Sequence, residues 1–126
     1  MSHPTRTIGK VRIVEGSPLE LLKGTLDTLI LKTLSRGPNH GDGIARWLRE
    51  SSADAFQVEE GALYPALRRL EKRGLLASGW DVTETGREAK FYRLTEEGRA
   101  ELDAALANWS RYVSAMGQVL DSGGHA

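Results

Sequence analysis

The residues best suited to bind a polyanion lie in one short basic stretch. Arg68, Arg69, Lys72 and Arg73 follow closely on one another, and Glu71 is the only carboxylate among them. Guanidinium and ammonium groups form charge-assisted hydrogen bonds with phosphate, and arginine can also pair with guanine edges. The chain as a whole has no net charge, so this local concentration, rather than the overall composition, points to nucleic acid.

The helix that carries these residues is predicted over residues 60–73. Leu63, Leu67 and Leu70 recur at helical spacing and form its core face. Because Pro65 lacks an amide hydrogen, we place the helix start late, at Glu60 or Gly61, where the loss costs little. The opposite face then offers the side chains that could contact DNA, namely Tyr64, Pro65, Arg68, Arg69 and Lys72.

The elements around this helix are predicted from periodicity. An amphipathic helix spans about residues 19–35, with Leu22, Leu26, Leu29, Ile30 and Leu34 on its apolar face, and a second spans about residues 41–51, burying Ile44, Trp47 and Leu48. Residues 75–95 alternate and contain a polar glycine turn, which indicates a β-hairpin whose tip carries Arg87 and Lys90. Trp80 lies in its first strand, where packing is the expected role.

A long final helix is predicted from Glu96 to about Leu120. Thr95 can cap it, and its apolar residues repeat at alternating intervals of four and three. They are Leu102, Leu106, Trp109, Val113, Met116 and Leu120. A heptad seam of this kind predicts dimerisation.

Three helices followed by a hairpin is the element order of a winged helix-turn-helix. The sequence therefore predicts an α+β chain with a flexible arm at residues 1–17 and a winged helix-turn-helix domain at residues 18–95. A dimerisation helix follows at residues 96–121, and a disordered tail at residues 122–126. In this fold the third helix enters the major groove and the hairpin, or wing, flanks it.

Two motifs resemble the PadR family of transcriptional regulators. GALYPALRRLE at residues 61–71 is similar to the family's recognition-helix signature, and GREAKFYRLT at residues 86–95 is similar to its wing and the start of its last helix. The resemblance extends over roughly residues 19–120. It implies a homodimeric regulator, usually a repressor, that binds a palindromic operator through Tyr64, Arg68 and Lys72 on the helix and Arg87 and Lys90 on the wing.

The sequence departs from the family pattern at two places. Ala62 stands where many members have a hydroxyl residue, which puts one phosphate contact in doubt, and Glu88 and Ala89 interrupt a wing tip that is often more basic. The single C-terminal helix is similar to that of the short subfamily.

The resemblance also implies an effector site. In the multidrug-sensing members that this region resembles, a tryptophan of the last helix stacks flat aromatic drugs across the dimer. Trp109, Tyr112 and Val113 are the matching candidates for a planar aromatic effector, while a closed dimer seam is the plainer interpretation.

Two other classes of protein are alternatives to a DNA-binding regulator. A winged-helix module that binds protein instead of DNA fits the lack of net charge. An enzyme is not expected, because the chain has no cysteine, no phosphate-binding glycine loop and no histidine beside a nucleophile. No cofactor or metal is expected, and with no apolar run long enough to cross a bilayer, a cytoplasmic location is expected.

Overall fold

The computed structural model describes residues 5–8, 11–14 and 24–122 of the chain. Its elements, in chain order, are β1 (Thr5–Ile8), β2 (Val11–Val14), α1 (Thr25–Leu34), β3 (Asn39–His40), α2 (Gly41–Ser51), α3 (Glu60–Lys72), β4 (Leu76–Val82), β5 (Glu88–Leu94) and α4 (Glu96–Ser122). The predicted bounds of α2 are confirmed, and α3 ends one residue earlier than expected.

The core lies where α1, α2 and α3 pack their apolar faces together against the base of the hairpin. Leu63, Leu67 and Leu70 are almost completely buried, as the helical spacing predicted. The buried residues from the other helices and the sheet are Ile30, Leu31, Leu34, Ile44, Leu48, Ala66, Leu75, Leu76, Tyr92 and Leu102. Trp47 is only partly buried, and the Arg36 guanidinium lies over its ring at 5.0 Å from the centroid.

The wing is part of a three-stranded antiparallel sheet in the order β3-β5-β4. β4 pairs with β5 along its whole length, and the two residues of β3 extend the sheet on the other side of β5. The polar turn between β4 and β5 closes with hydrogen bonds between Thr83 and Arg87, and Gly86 has a φ of 84° that favours glycine. The sequence predicted β4 and β5 but not β3.

The first turn of α4 fixes this helix against the winged domain. The Thr95 hydroxyl donates to the Gly74 carbonyl (2.7 Å) and accepts from the Gly98 amide (3.0 Å), which confirms Thr95 as the cap. The Thr95 amide donates to the Leu75 carbonyl (3.1 Å). Because Gly98 is buried against Leu75 and Leu94, the helix backbone approaches the sheet closely here.

The structure also tests the predictions for the two ends of the chain. Within the arm of residues 1–17, β1 and β2 pair as an antiparallel hairpin, which the lack of sustained periodicity had not indicated. The predicted start of the first helix and its residue Leu22 lie outside the described residues, as do residues 123–126 of the predicted tail. The flexibility of the arm stays a prediction. No helix among the described residues is long and apolar enough to span a membrane.

Candidate nucleic-acid interface

The outer face of α3 carries an exposed stripe opposite the core. Gly61, Pro65, Arg68 and Lys72 follow one another at intervals of four, three and four, so they lie on one side of the helix. All four are exposed, and the buried leucines of α3 point the other way. We call these four residues the outer stripe. Pro65 falls in the second turn, one turn deeper than a first-turn proline, and α3 remains a continuous helix through it.

The basic residues of α3 differ in whether a carboxylate neutralises them. Arg69 lies at the edge of the outer stripe, and its guanidinium pairs with Asp27 of α1 at 2.6 Å. Among the described residues, neither Arg68 nor Lys72 has a carboxylate within 4.0 Å. Arg68 and Lys72 therefore present uncompensated positive charge, whereas Arg69 is held back against the domain.

The two basic residues predicted at the tip of the wing form ion pairs with helices. Arg87 pairs with Asp42 in the first turn of α2 at 3.1 Å, and Lys90 lies 3.7 Å from Glu71 near the end of α3. The Lys90 ammonium also lies 5.7 Å from the centre of the Tyr92 ring. These pairs link the wing to α2 and to α3, and the exposed side of each cation remains open to solvent.

A groove of about 290 Å³ runs between the start of α3 and the wing. Its lining mixes both signs of charge and consists of His40, Gly41, Asp42, Glu60, Tyr64, Arg87, Glu88, Ala89 and Lys90. The structure thus brings Tyr64 together with the two wing cations that the sequence predicted as its companions.

Tyr64 is half-buried in this groove rather than fully exposed on the helix face. Its ring packs against Gly41, where a Cβ atom would come within 2.6 Å of the phenol Cζ. Burial raises the pKa of Tyr64 above its usual 10.0, and the carboxylates of Asp42 and Glu60 add to the effect. The phenol is therefore neutral at physiological pH and remains a hydrogen-bond donor.

His40 caps the start of α2. Its Nδ1 accepts a hydrogen bond from the Gly43 amide at 3.3 Å, and its ring meets Phe91 edge to face at 5.1 Å between centroids. Within the part of the chain that the structure describes, no group of His, Asp or Glu residues is placed to hold a metal ion.

The apolar seam of α4 divides into a buried and an exposed part. Leu102 is 2% exposed and belongs to the core of its own chain, so its prediction as a dimerisation residue is wrong. The physical reason is that the first two turns of α4 pack against the winged domain. From Leu106 onward, every described residue except Gly117 is exposed.

The exposed part of the seam contains an aromatic pair. Trp109 and Tyr112 stack with their ring centres 5.8 Å apart and their planes 26° from parallel. Both rings are about half exposed, as is Val113 beside them. The three residues predicted as an effector site thus lie together on one exposed segment of α4.

The comparison with protein families decides the identity of this fold. Residues 30–104, more than half of the chain, match the model described as "Transcriptional regulator PadR-like family". The chain belongs to the PadR-like family of transcriptional regulators. Membership confirms the winged-helix architecture and the resemblance found in the sequence, and it makes the chain a DNA-binding regulator.

Individual family members share the fold over most of the chain. A PadR family transcriptional regulator from Eggerthella lenta is 36% identical, with a TM-score of 0.68, over 79% of this PadR-like chain and 84% of that one. A PadR family transcription regulator from Clostridium difficile is 32% identical, with a TM-score of 0.68, over 77% of this chain and 99% of that one. The Bacillus subtilis protein named "Negative transcriptional regulator PadR" is 29% identical over a matched region that covers 58% of this chain and 40% of that protein.

Sequence reasoning missed the carboxylate partners of the PadR-like interface. Asp27 lies 42 residues before Arg69, and Asp42 lies 45 residues before Arg87. No local spacing signals contacts at such separations. The expectation that Trp80 packs in its own chain is also wrong, because the side chain is 71% exposed.

Proposed function

We propose that this PadR-like regulator represses transcription as a homodimer on a roughly palindromic operator. The observation that carries the proposal is the outer stripe, where Arg68 and Lys72 stand uncompensated opposite the core face of α3. Such a face suits insertion into the major groove, with arginine and lysine reaching phosphates or guanine edges. The groove between α3 and the wing would add contacts from Tyr64, Arg87 and Lys90.

The exposed half of α4 supports dimerisation. The seam consists of Leu106, Trp109, Val113, Met116 and Leu120, which are between 39% and 69% exposed in the single chain. A heptad stripe of large apolar residues left in water is stabilised by pairing with a second copy. A two-fold axis through α4 would present two copies of α3 to successive major grooves, about 34 Å apart.

The sign of regulation rests on a relative. Because the Bacillus subtilis protein is named a negative regulator, we propose repression here as well. An operator can be obtained by selecting DNA fragments with the purified protein. A reporter gene placed behind this operator should be transcribed less when the protein is added to a purified transcription reaction. Increased transcription would contradict repression while leaving DNA binding intact.

Fluorescence anisotropy with duplex DNA tests the interface. DNA selected by the purified protein is labelled and titrated at several salt concentrations. Arg68→Ala should weaken binding by about 1–3 kcal/mol if the side chain reads guanine, and should reduce the salt slope by about one if it contacts phosphate. Arg99→Ala is the matched control, because Arg99 is also exposed but lies on α4. Sedimentation should show both variants as dimers.

Equal losses for Arg68→Ala and Arg99→Ala would place DNA elsewhere on the protein. If the wild-type protein gives no salt-dependent binding to any duplex, the chain acts instead as a winged-helix protein-binding module.

We also propose that a planar aromatic effector binds at Trp109, Tyr112 and Val113. The exposed stacked pair offers ring faces on which a flat molecule can stack. Titration with 9-aminoacridine in the absence of DNA should quench tryptophan fluorescence in the wild type and much less in Trp109→Phe. Quenching that is equal in the two proteins would contradict this site.

A further inference from the structure

Trp80 and Val82 form an exposed apolar patch on strand β4. Their side chains are 71% and 57% exposed, the highest values among the large apolar residues that the structure describes in the winged domain. The large apolar surface of a tryptophan does not stabilise the fold when the side chain stays in water. The residue therefore calls for a role outside the core.

The register of the wing fixes the direction in which this patch faces. Leu76, Ser78, Trp80 and Val82 lie on one face of β4, because successive side chains alternate. Leu76 is buried in the core, and the Ser78 hydroxyl donates to Glu71 of α3 at 2.5 Å. Trp80 thus continues the face that packs against α3, one step farther out along the wing.

The patch borders the proposed DNA-binding surface directly. Trp80 is paired across the sheet with Lys90, and Val82 is paired with Glu88. Residues on opposite strands of a pair share a face and lie within contact distance. Lys90 also lines the groove between α3 and the wing, so Lys90 adjoins both the groove and the apolar patch.

Electrostatic attraction alone is weak at this position. Residues 76–94 contain three acidic and three basic side chains, and both Arg87 and Lys90 are already paired with carboxylates. A wing without net charge needs another source of contact with DNA. An indole supplies one, since its ring packs on a sugar and its N–H can donate to a phosphate.

We propose that Trp80, supported by Val82, is a DNA-contacting residue of the wing. The indole packs against the sugar–phosphate backbone of the DNA, beside the DNA groove that the wing enters. This inference rests on the proposed DNA-binding function and adds to it a contact that depends little on salt and on base sequence.

Binding measurements on wing variants separate the indole from the charges. Trp80→Ala should weaken operator binding by roughly 5-fold or more, which is the lower end of the range for bases that stack on aromatic side chains. Its salt slope should equal that of the wild type, because the uncharged indole neutralises no phosphate and so releases no counterion. Lys90→Ala should reduce that slope by about one. Trp80→Phe should keep most of the affinity for the operator. Arg93→Ala is the control variant, because Arg93 lies on the opposite face of β5 and its loss should leave binding unchanged.

Fluorine NMR reports the contact itself. The chain has three tryptophans, so 5-fluorotryptophan labelling gives three signals that single Trp→Phe variants assign. Addition of operator DNA should shift the Trp80 signal more than that of Trp47, which is partly buried in the domain. Sedimentation of Trp80→Ala checks that the dimer is unchanged.

The outcomes distinguish this inference from the proposed function. If the wild type binds DNA while Trp80→Ala binds equally well and the Trp80 signal stays in place, the inference alone is overturned, and the patch is a surface for a protein partner. If the wild type binds no duplex at all, the proposed function falls and the inference falls with it.

Discussion

Replacing Gly98 by alanine should destabilise the protein at the junction of α4 with the wing. The added Cβ would overlap the Leu75 carbonyl oxygen and would lie 2.8 Å from Cδ1 of Leu94. The carbonyl cannot easily retreat, because it accepts the Thr95 amide at 3.1 Å. The first turn of α4 must therefore move outward, which strains that hydrogen bond and loosens the burial of Leu102 one turn later.

The size of the Gly98→Ala effect follows from these contacts. Overpacking a close contact costs about 1–3 kcal/mol, and loss of one hydrogen bond costs about 1 kcal/mol. The helix preference of alanine over glycine offsets up to about 1 kcal/mol. The free energy of unfolding should fall by about 2 kcal/mol, which lowers the urea midpoint by about 1 M at an ordinary slope. Urea titration followed by circular dichroism, at fixed protein concentration, measures this change.

Gly61→Ala is the matched control for this substitution. Gly61 also lies in the first turn of a helix, but a Cβ there would meet no atom within 4 Å. Its unfolding free energy should stay within about 0.5 kcal/mol of the wild type or rise slightly. If Gly98→Ala is as stable as Gly61→Ala, the close approach of α4 to the sheet does not exist as described.

Three further predictions concern the two tyrosines with raised pKa values and the seam of α4. Burial raises the pKa of both Tyr64 and Tyr92 above 10.0, so the folded state keeps protons that the unfolded state loses. The free energy of unfolding should therefore fall as the pH rises through about 10, and a double Tyr→Phe variant should fall less steeply; parallel curves from urea titrations would contradict this. Leu102→Ala should lower the free energy of unfolding by about 2–5 kcal/mol. Leu106→Ala should instead raise the dimer dissociation constant about tenfold by sedimentation equilibrium, an apolar loss of about 1.4 kcal/mol; a Leu102 variant that alters only dimerisation would reverse our assignment.

The helices of the winged domain could be predicted because each has a strong local signal. The spacing of Ile44 and Leu48 fixed the face of α2, and the leucines of α3 marked its core side without ambiguity. Gly74 follows the end of α3 with a φ of 81°, and a glycine just past a helix is a local stop signal. The outer stripe follows from the same periodicity, since a helix with one buried face must turn the other outward.

Features that depend on tertiary placement could not be predicted. The heptad spacing on α4 identified one apolar face, but spacing does not say what covers each residue. Leu102 is covered by its own domain, and Leu106 is not, because the helix leaves the domain between them. Alternation likewise assigned Trp80 to a face of β4 without showing that the wing extends beyond the core at that point. The two-residue strand β3 is too short to leave a periodic signal.

Site-directed DNA cleavage tests most directly whether the outer face of α3 enters the major groove. The chain has no cysteine, so Ala62→Cys in the first turn of α3 can carry a single iron chelate, with Ala100→Cys on α4 as the control. Position 62 alone should give two symmetric cleavage sites on the operator, offset between strands as for the major groove and separated by about one helical turn. Cleavage from position 100 with none from position 62 would contradict it.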